Sequence, residues 1–386
     1  MKKRIGIDAR FYGSLGKGLG RYTEKLIEHL EEQAPDQWEF FVFLRRENFG
    51  EYVPRNPVFR KVLADYGWYG FGEQFLFPLL LLRYRLDLVH FPHFNVPVLY
   101  PRKFVVTIHD LILIHFPTVR NTTRTTLSYA LKFLAYKSVI ARAVRRSRRI
   151  LTVSRFTAND IAKEYPEAEG KVLVTYEGID DRCHAVPEGE ARRIFAAEEP
   201  SLVGKDSGPL RDILPRYFLY VGNAYPHKNL EAFIPLAKAF PDVLFLLVGK
   251  EDFFYRRLGK RIARAGVTNI RLVGFVPDRE LSVFYRFAAG YVFPSLYEGF
   301  GLPPLEAMAY GTPVIASDRG SLPEILGDAA IPFDPDGSGL EGSVDLLLTD
   351  VSVSERLVKK GFGLLPKYRW ADMVEATVAV YGDILG

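Results

Sequence analysis

The residues with the most chemical content lie in one stretch, Ser295-Leu296-Tyr297-Glu298-Gly299-Phe300-Gly301-Leu302-Pro303-Pro304-Leu305-Glu306. Its prolines mark a helix entrance, because a missing N–H is harmless in the first turn. Gly299 and Gly301 let the backbone approach a ligand closely, and the helix start adds positive partial charge, so a phosphate is the natural guest. Glu298 stays in the loop, and Glu306 falls on the first or second helical turn. Carboxylates would repel the phosphate itself. They suit hydroxyls on either side of it, a sugar on one side and a ribose on the other. A Gly-Pro turn with one capping Glu is the plainer alternative.

Three further features could take part. Lys228, in Pro226-His227-Lys228-Asn229, offers a cation that offsets charge growing on a departing diphosphate, work a metal would otherwise do. As an ordinary surface lysine it would oppose the dipole of the helix start beside it unless an anion visits. His109 closes an expected strand and precedes Asp110. A neutral imidazole there could orient a reacting hydroxyl or stabilise a cation-like transition state, or simply serve the structure. Gly16, Gly18 and Gly20 form a series between the first expected strand and helix. Alone it would equally suggest a dinucleotide, but beside the 295–306 segment it reads as a loop near the acceptor hydroxyl and diphosphate, with Gly18 in the donor-binding set.

Short β-branched and aromatic runs alternate with helix-length segments along the whole chain, the pattern of parallel sheets covered on both faces. Strands are expected at 4–7, 39–44, 87–91, 104–108, 150–153 and 172–175, then at 217–221, 244–248, 270–273, 291–293, 314–316 and 331–333. Two successive sheets imply an α/β protein of two Rossmann-like domains, 1–182 and 216–365, separated by a linker and surface excursion at 183–215. A last segment, 366–386, carries a helix whose apolar face must find a core already built, and it is expected to cross back to the N-terminal domain. Ligands of open α/β sheets sit at the carboxyl ends of the strands, so the cleft between two such domains is the expected site.

Composition narrows the class. With 386 residues and 48% hydrophobic content, the chain has material for more than one core. One cysteine, Cys183, excludes an intramolecular disulfide and fits a reducing cytoplasm. The start, MKKRIGIDAR, reaches Asp8 too soon for a secretory signal and reads as a first strand. The longest apolar run, 75–82, is broken by Pro78 and falls short of the ~20 residues needed to cross a bilayer. Net charge is +5, but Arg142, Arg145, Arg146, Arg148 and Arg149 place five positive charges within eight residues. They read either as a solvated helix end favoured by the dipole or as a docking face for anionic lipid, since Phe133, Leu134, Tyr136, Val139 and Ile140 supply an apolar stripe on the same helix. No aromatic platform or groove-reading motif points to nucleic acid.

Glu298 and Glu306 within EGFGLPPLE resemble the signature of glycosyltransferase family 4 and the wider retaining GT-B group. IGIDARFYG, GKGLGRYTEKLIEHL, DLVHFPHFNVP, VVTIHDLI, LTVSRFTANDIAKEYP, TYEGID, LYVGNAYPHKNL and VIASDRGSLPEILGDAA resemble, in order, blocks of its mannosyltransferase B-like branch. The resemblance implies a GT-B fold and an enzyme that is a retaining, metal-independent hexosyltransferase of polysaccharide biosynthesis. It implies that Glu298 binds donor-sugar hydroxyls, that the backbone of Gly299, Phe300, Gly301 and Leu302 meets diphosphate and sugar, and that Glu306 meets the ribose. It further implies that Lys228 meets the phosphates and His109 faces the donor sugar, with His109 and Glu298 the catalytic pair. Many relatives carry arginine where His227 stands, which puts a second permanent charge on the diphosphate in doubt.

No cofactor is expected beyond the nucleotide-sugar substrate, GDP-mannose on the strength of the branch or else a UDP-hexose, and no metal, since no DxD-like pair at a strand end stands out as dedicated to one and the resemblance implies none. The acceptor implied is a lipid-linked or cell-surface glycan. No carboxylate of the N-terminal half stands out as a nucleophile, so same-face attack is favoured over a covalent intermediate. A sugar-nucleotide epimerase or synthase and a non-catalytic sugar-nucleotide binder are the alternatives. A dehydrogenase is disfavoured, because no acidic residue stands ~20 positions after the first glycine loop in a strand-end context.

Overall fold

The computed structural model describes residues 2–13, 17–116, 126–180, 186–198, 210, 214, 216–337 and 339–386, with backbone alone for 17 and 126–132. Cys183 and Gly16 lie outside them. The chain forms two compact units, Met1–Gly178 with Arg369–Gly386, and Ile179–Tyr368. Each is built on a wholly parallel sheet.

In the first unit the strands are β1 (Lys3–Asp8), β2 (Trp38–Leu44), β3 (Phe59–Leu63), β4 (Leu88–Phe91), β5 (Phe104–Ile108), β6 (Arg149–Thr152) and β7 (Val172–Val174), ordered β3-β2-β1-β4-β5-β6-β7. In the second they are β8 (Tyr217–Val221), β9 (Leu244–Val248), β10 (Ile270–Gly274), β11 (Gly290–Phe293), β12 (Val314–Ser317) and β13 (Ala330–Phe333), ordered β10-β9-β8-β11-β12-β13. Central strands such as β5, FVVTI, are buried at every residue, as a sheet covered on both faces requires. Strand order reverses beside β1 and β4 in one unit and beside β8 and β11 in the other. Those are the points where open sheets leave a crevice for ligand.

β3 is absent from the twelve strands expected. It is an edge strand carrying Arg60 and Lys61, with only Phe59 and Val62 buried, and such blunted edges give little hydrophobic signal. Of the segment 183–215, read as a linker, much lies outside the described residues; its described Glu188–Glu198 helix buries Ala191 and Phe195, has the Phe195 ring edge-on to Phe284 and Phe287, and belongs to the second unit. The helix is eleven residues long and contributes only two buried positions, too few for a sustained period to register.

The Trp370–Leu385 helix lies in the first unit. Gln33 on the Lys17–Gln33 helix donates to the Ala371 carbonyl at 3.2 Å, and the Tyr381 hydroxyl meets His90 Nδ1 at 2.6 Å. His90 Nε2 lies 2.8 Å from the Thr107 hydroxyl, which in turn lies 3.2 Å from the Tyr22 hydroxyl. Hydroxyls can donate or accept, so they satisfy a neutral imidazole on both sides, and burial depresses the His90 pKa to about 3. His90 is a core residue.

The Thr126–Arg146 helix corrects the lipid-facing reading of its stripe. Ile140 is fully buried and Tyr136 packs against the core; of the five apolar residues, Leu134 alone is widely exposed. The arginines diverge as well. Arg142 Nε donates to the Val98 carbonyl, Arg146 Nη2 to the Pro101 carbonyl, and Arg149 lies on β6 with Nη1 on the Gly170 carbonyl.

Candidate functional site

The second unit concentrates its polar side chains where β8 and β11 diverge. After β8 the chain makes a single 3₁₀ turn, Pro226–Lys228, and leaves it through Asn229 in the left-handed region (φ 54°). After β11 it runs through Ser295 to Glu298. The Leu296 N–H donates to the His227 carbonyl at 2.7 Å, which fixes one loop on the other. Lys228 Nζ then donates to Glu298 Oε1 at 2.5 Å, with both side chains largely buried and the ammonium 5.2 Å from the Phe293 ring centroid. His227 is buried beside this cation. Burial and Lys228 together depress its pKa to about 4, so it adds no second charge near neutral pH.

The floor beneath the pair is made of tyrosines that the sequence reading did not single out. Tyr220, Tyr255 and Tyr291 donate their hydroxyls to the carbonyls of Asn223, Gly222 and Val221 at 2.8, 2.8 and 3.2 Å. The C-terminal end of β8 is thus held by side chains from β8 itself, the Phe253–Arg264 helix and β11. Burial pushes the Tyr291 hydroxyl well above its ordinary pKa, and the Glu306 and Glu298 carboxylates push in the same direction, so both lie within electrostatic reach of one hydroxyl. The signal was present as aromatic strand residues, but in a buried strand such residues read as core.

The Leu302–Ala309 helix starts from Gly301, at φ 102° and ψ 58°, a conformation that disfavours any other residue. Of the four N–H positions at the helix start, 301–304, Pro303 and Pro304 have no N–H, which leaves the donors of Gly301 and Leu302. Phe300 contributes backbone only. Its ring is buried edge-on to Tyr368, and its carbonyl accepts from Ser321 Oγ at 2.9 Å. Glu306 accepts from the Tyr285 hydroxyl at 3.1 Å. Behind the loop, Gly320 (φ 64°) approaches so closely that a Cβ there would stand 2.7 Å from the Glu298 nitrogen. Ser321 N–H donates to the Glu298 carbonyl at 3.2 Å. Sequence reading passed over Gly320 and Ser321, which back Glu298 from outside its own segment.

In the first unit His109 follows β5, with its backbone carbonyl accepting from Thr157 Oγ1 at 3.3 Å. Both ring nitrogens are engaged, Nε2 with the Pro92 carbonyl at 3.0 Å and Nδ1 with Glu177 Oε1 at 3.2 Å, and the Tyr22 ring stands perpendicular to it. A carbonyl only accepts, so the Nε2 contact requires an N–H, and a proton must then lie between Nδ1 and the carboxyl oxygen. A third group reaching either nitrogen would displace one of these contacts. Glu177, buried in TYEGID, was missed because it is remote in sequence from His109.

Gly18 lies in the first turn of the Lys17–Gln33 helix rather than in the loop before it, and a Cβ there would meet nothing within 4 Å. The close approach in this series is at Gly20, whose Cβ would stand 2.7 Å from the Phe11 carbonyl oxygen. Helix formation from residue 17 turns Gly18 outward and Gly20 inward.

Among the described residues no group of three His, Cys, Asp or Glu side chains could hold a metal ion, and no helix is long and apolar enough to cross a membrane.

Residues 16–182 match the family Glycosyltransferase Family 4, and residues 211–362 match Glycosyl transferases group 1. The chain is 27% identical over 390 residues to the O-antigen chain mannosyltransferase B of Escherichia coli, covering 94% of this chain and 95% of that protein. It is 28% identical over 335 residues to the O-antigen chain mannosyltransferase RfbU of Salmonella typhimurium, covering 84% and 85%. In fold it is similar to sucrose-phosphate synthase from Thermosynechococcus elongatus, with TM-score 0.75, 19% identity and 99% of each chain covered. The two sheets, their order and these matches along both units agree: the chain carries a Glycosyltransferase Family 4 domain and a Glycosyl transferases group 1 domain on a GT-B fold.

Proposed function

We propose that the chain transfers mannose from GDP-mannose to a lipid-linked or cell-surface glycan, an O-antigen-type chain, at the inner face of a membrane. The mannosyl group and the O-antigen-type acceptor rest on the mannosyltransferase relatives, and the GDP on the resemblance to that branch. The observation that carries the chemistry is the Lys228–Glu298 pair at the sheet's switch point. Lys228 has further ammonium protons to turn toward a diphosphate, and Glu298 has a second carboxylate oxygen to accept from a sugar hydroxyl. Glu306 is the ribose partner, and the backbone from Gly299 to Leu302 meets the diphosphate.

Retention follows from same-face attack. The anomeric C–O bond to phosphate breaks, the acceptor oxygen bonds the anomeric carbon on the same face, and the acceptor proton passes to the leaving phosphate oxygen. Lys228 offsets the charge left on the diphosphate, so no metal is required in this reading and activity persists in chelator. The second unit takes the donor. The first takes the acceptor, with the His109–Glu177 pair as its polar element.

A panel of nucleotide sugars scored by thermal shift, followed by product analysis with an isolated lipid-linked glycan, tests the reading. A shift selective for GDP-mannose and a lengthened glycan of unchanged anomeric configuration are expected. Donor conversion without acceptor would indicate the epimerase or synthase alternative, and binding without turnover a non-catalytic binder.

A further inference from the structure

The longest apolar run of the chain is not buried as a unit. A π-helical turn, Gly72–Leu76, runs into the Phe77–Arg83 helix, and the two share an outward face of Phe71, Phe75, Leu76, Leu79 and Arg83. Phe71 and Leu79 are 72% and 63% exposed, and the Phe71 and Phe75 rings stack on each other at 4.4 Å rather than on the protein. The inner face holds the segment without them. Phe77 and Leu81 are fully buried, while Glu73 accepts from Arg10 Nη2 at 2.8 Å, from Asn95 Nδ2 at 2.7 Å and from the Tyr69 N–H at 2.6 Å. Folding therefore leaves four large apolar side chains in water on one anchored surface, which isolated exposed residues do not do.

Cations border this surface. Gln74 Oε1 accepts from the Val98 N–H at 2.8 Å, and the Val98 carbonyl accepts from Arg142 Nε at 2.5 Å. Leu99 follows, 53% exposed, and then Pro101, whose carbonyl accepts from Arg146. The loop 98–101 thus joins the apolar face to the arginine-bearing end of the Thr126–Arg146 helix. Between Tyr66 and Arg149 the chain has thirteen Lys and Arg against three acidic residues, although the whole chain carries only +5. A second copy pairing through this face would bring two such positive segments together, whereas an anionic surface neutralises them.

We infer that the face of Phe71, Phe75, Leu76 and Leu79, flanked by Arg83, Arg142 and Arg146, docks on anionic phospholipid, with the apolar side chains in the headgroup–acyl boundary and the arginines on the phosphates. This goes with the reading of a lipid-linked acceptor, but its test uses neither donor nor acceptor, so either can fail alone. Co-flotation is measured with vesicles of phosphatidylethanolamine containing phosphatidylglycerol and with vesicles of phosphatidylcholine. The protein floats with the former, and binding falls at high salt. The triple variant Phe71→Ser, Phe75→Ser, Leu79→Ser binds about tenfold or more weakly at unchanged thermal midpoint, and Arg83→Glu with Arg146→Glu does the same. The inference is overturned if the protein binds neither vesicle or both alike, or if the triple variant, folded by its midpoint, floats as well as the parent. It is also overturned if that variant only dissociates a dimer.

Discussion

Lys228 and Glu298 stand seventy residues apart in sequence and meet at 2.5 Å, each on the loop that leaves one of two neighbouring parallel strands. Neither charge is well solvated, so each holds the other in place until a ligand with both phosphate and hydroxyls divides them between its parts. Glu298→Gln and Lys228→Met are each expected to lower kcat about 10²–10³-fold at saturating donor, as loss of a preorganised charge does. Their double variant should fall well short of the product of the two losses, since the residues act as a unit. Steady-state kinetics of the cycle check this, and strictly multiplicative losses would argue that the contact has no functional meaning.

The proton between His109 Nδ1 and Glu177 makes a sharper distinction. Glu177→Gln can donate an amide N–H to a neutral ring and keep its orientation, whereas Glu177→Ala cannot. The glutamine variant should retain activity within about tenfold and the alanine variant lose about 10²-fold, with stability changed by ~1–2 kcal/mol in the latter. Steady-state kinetics and thermal midpoints of both variants check this, and equal activity losses in the two would assign Glu177 to structure alone.

Gly320 tests how closely Glu298 must be placed. Alanine in its left-handed conformation costs about 1–2 kcal/mol of stability, and its Cβ would press on the Glu298 backbone. Gly320→Ala should fold and lose activity about tenfold or more, with donor KM raised. Gly18→Ala, where a Cβ meets nothing, is expected to change kcat by less than about twofold. A large loss at Gly18 would restore the glycine series to the donor site.

The buried His90 sets an acid limit. In the unfolded chain a histidine takes up its proton near pH 6.5, whereas in the fold His90 stays neutral down to about 3. Its folded pKa is the lower, so the unfolded state binds the extra proton. Stability is full above about pH 6.5 and falls by about 1.4 kcal/mol per pH unit below it. Calorimetry at pH 5 should detect about one proton taken up through this site on unfolding, and His90→Gln should remove it. Equal uptake in parent and variant would place the acid sensitivity elsewhere.

The alternation of strand and helix, the two sheets and the loop that places Glu298, Gly301 and Glu306 were legible in the residues, because they rest on hydrophobic period, glycine and proline, all short-range properties of the chain. Charged edge strands such as β3 and a short helix such as Glu188–Glu198 escape that signal, since few of their residues are buried. Sequence alone likewise fixed the identity of the cation and carboxylates but not their partners. Strand order brings Lys228 to Glu298 and Glu177 to His109, and order is set by packing over the whole sheet. The same holds for the surface. An apolar stripe at 133–140 and an apolar run at 75–82 look alike as text, and only the filling of one core decided that the first turns mainly inward while Phe75, Leu76 and Leu79 of the second remain outside.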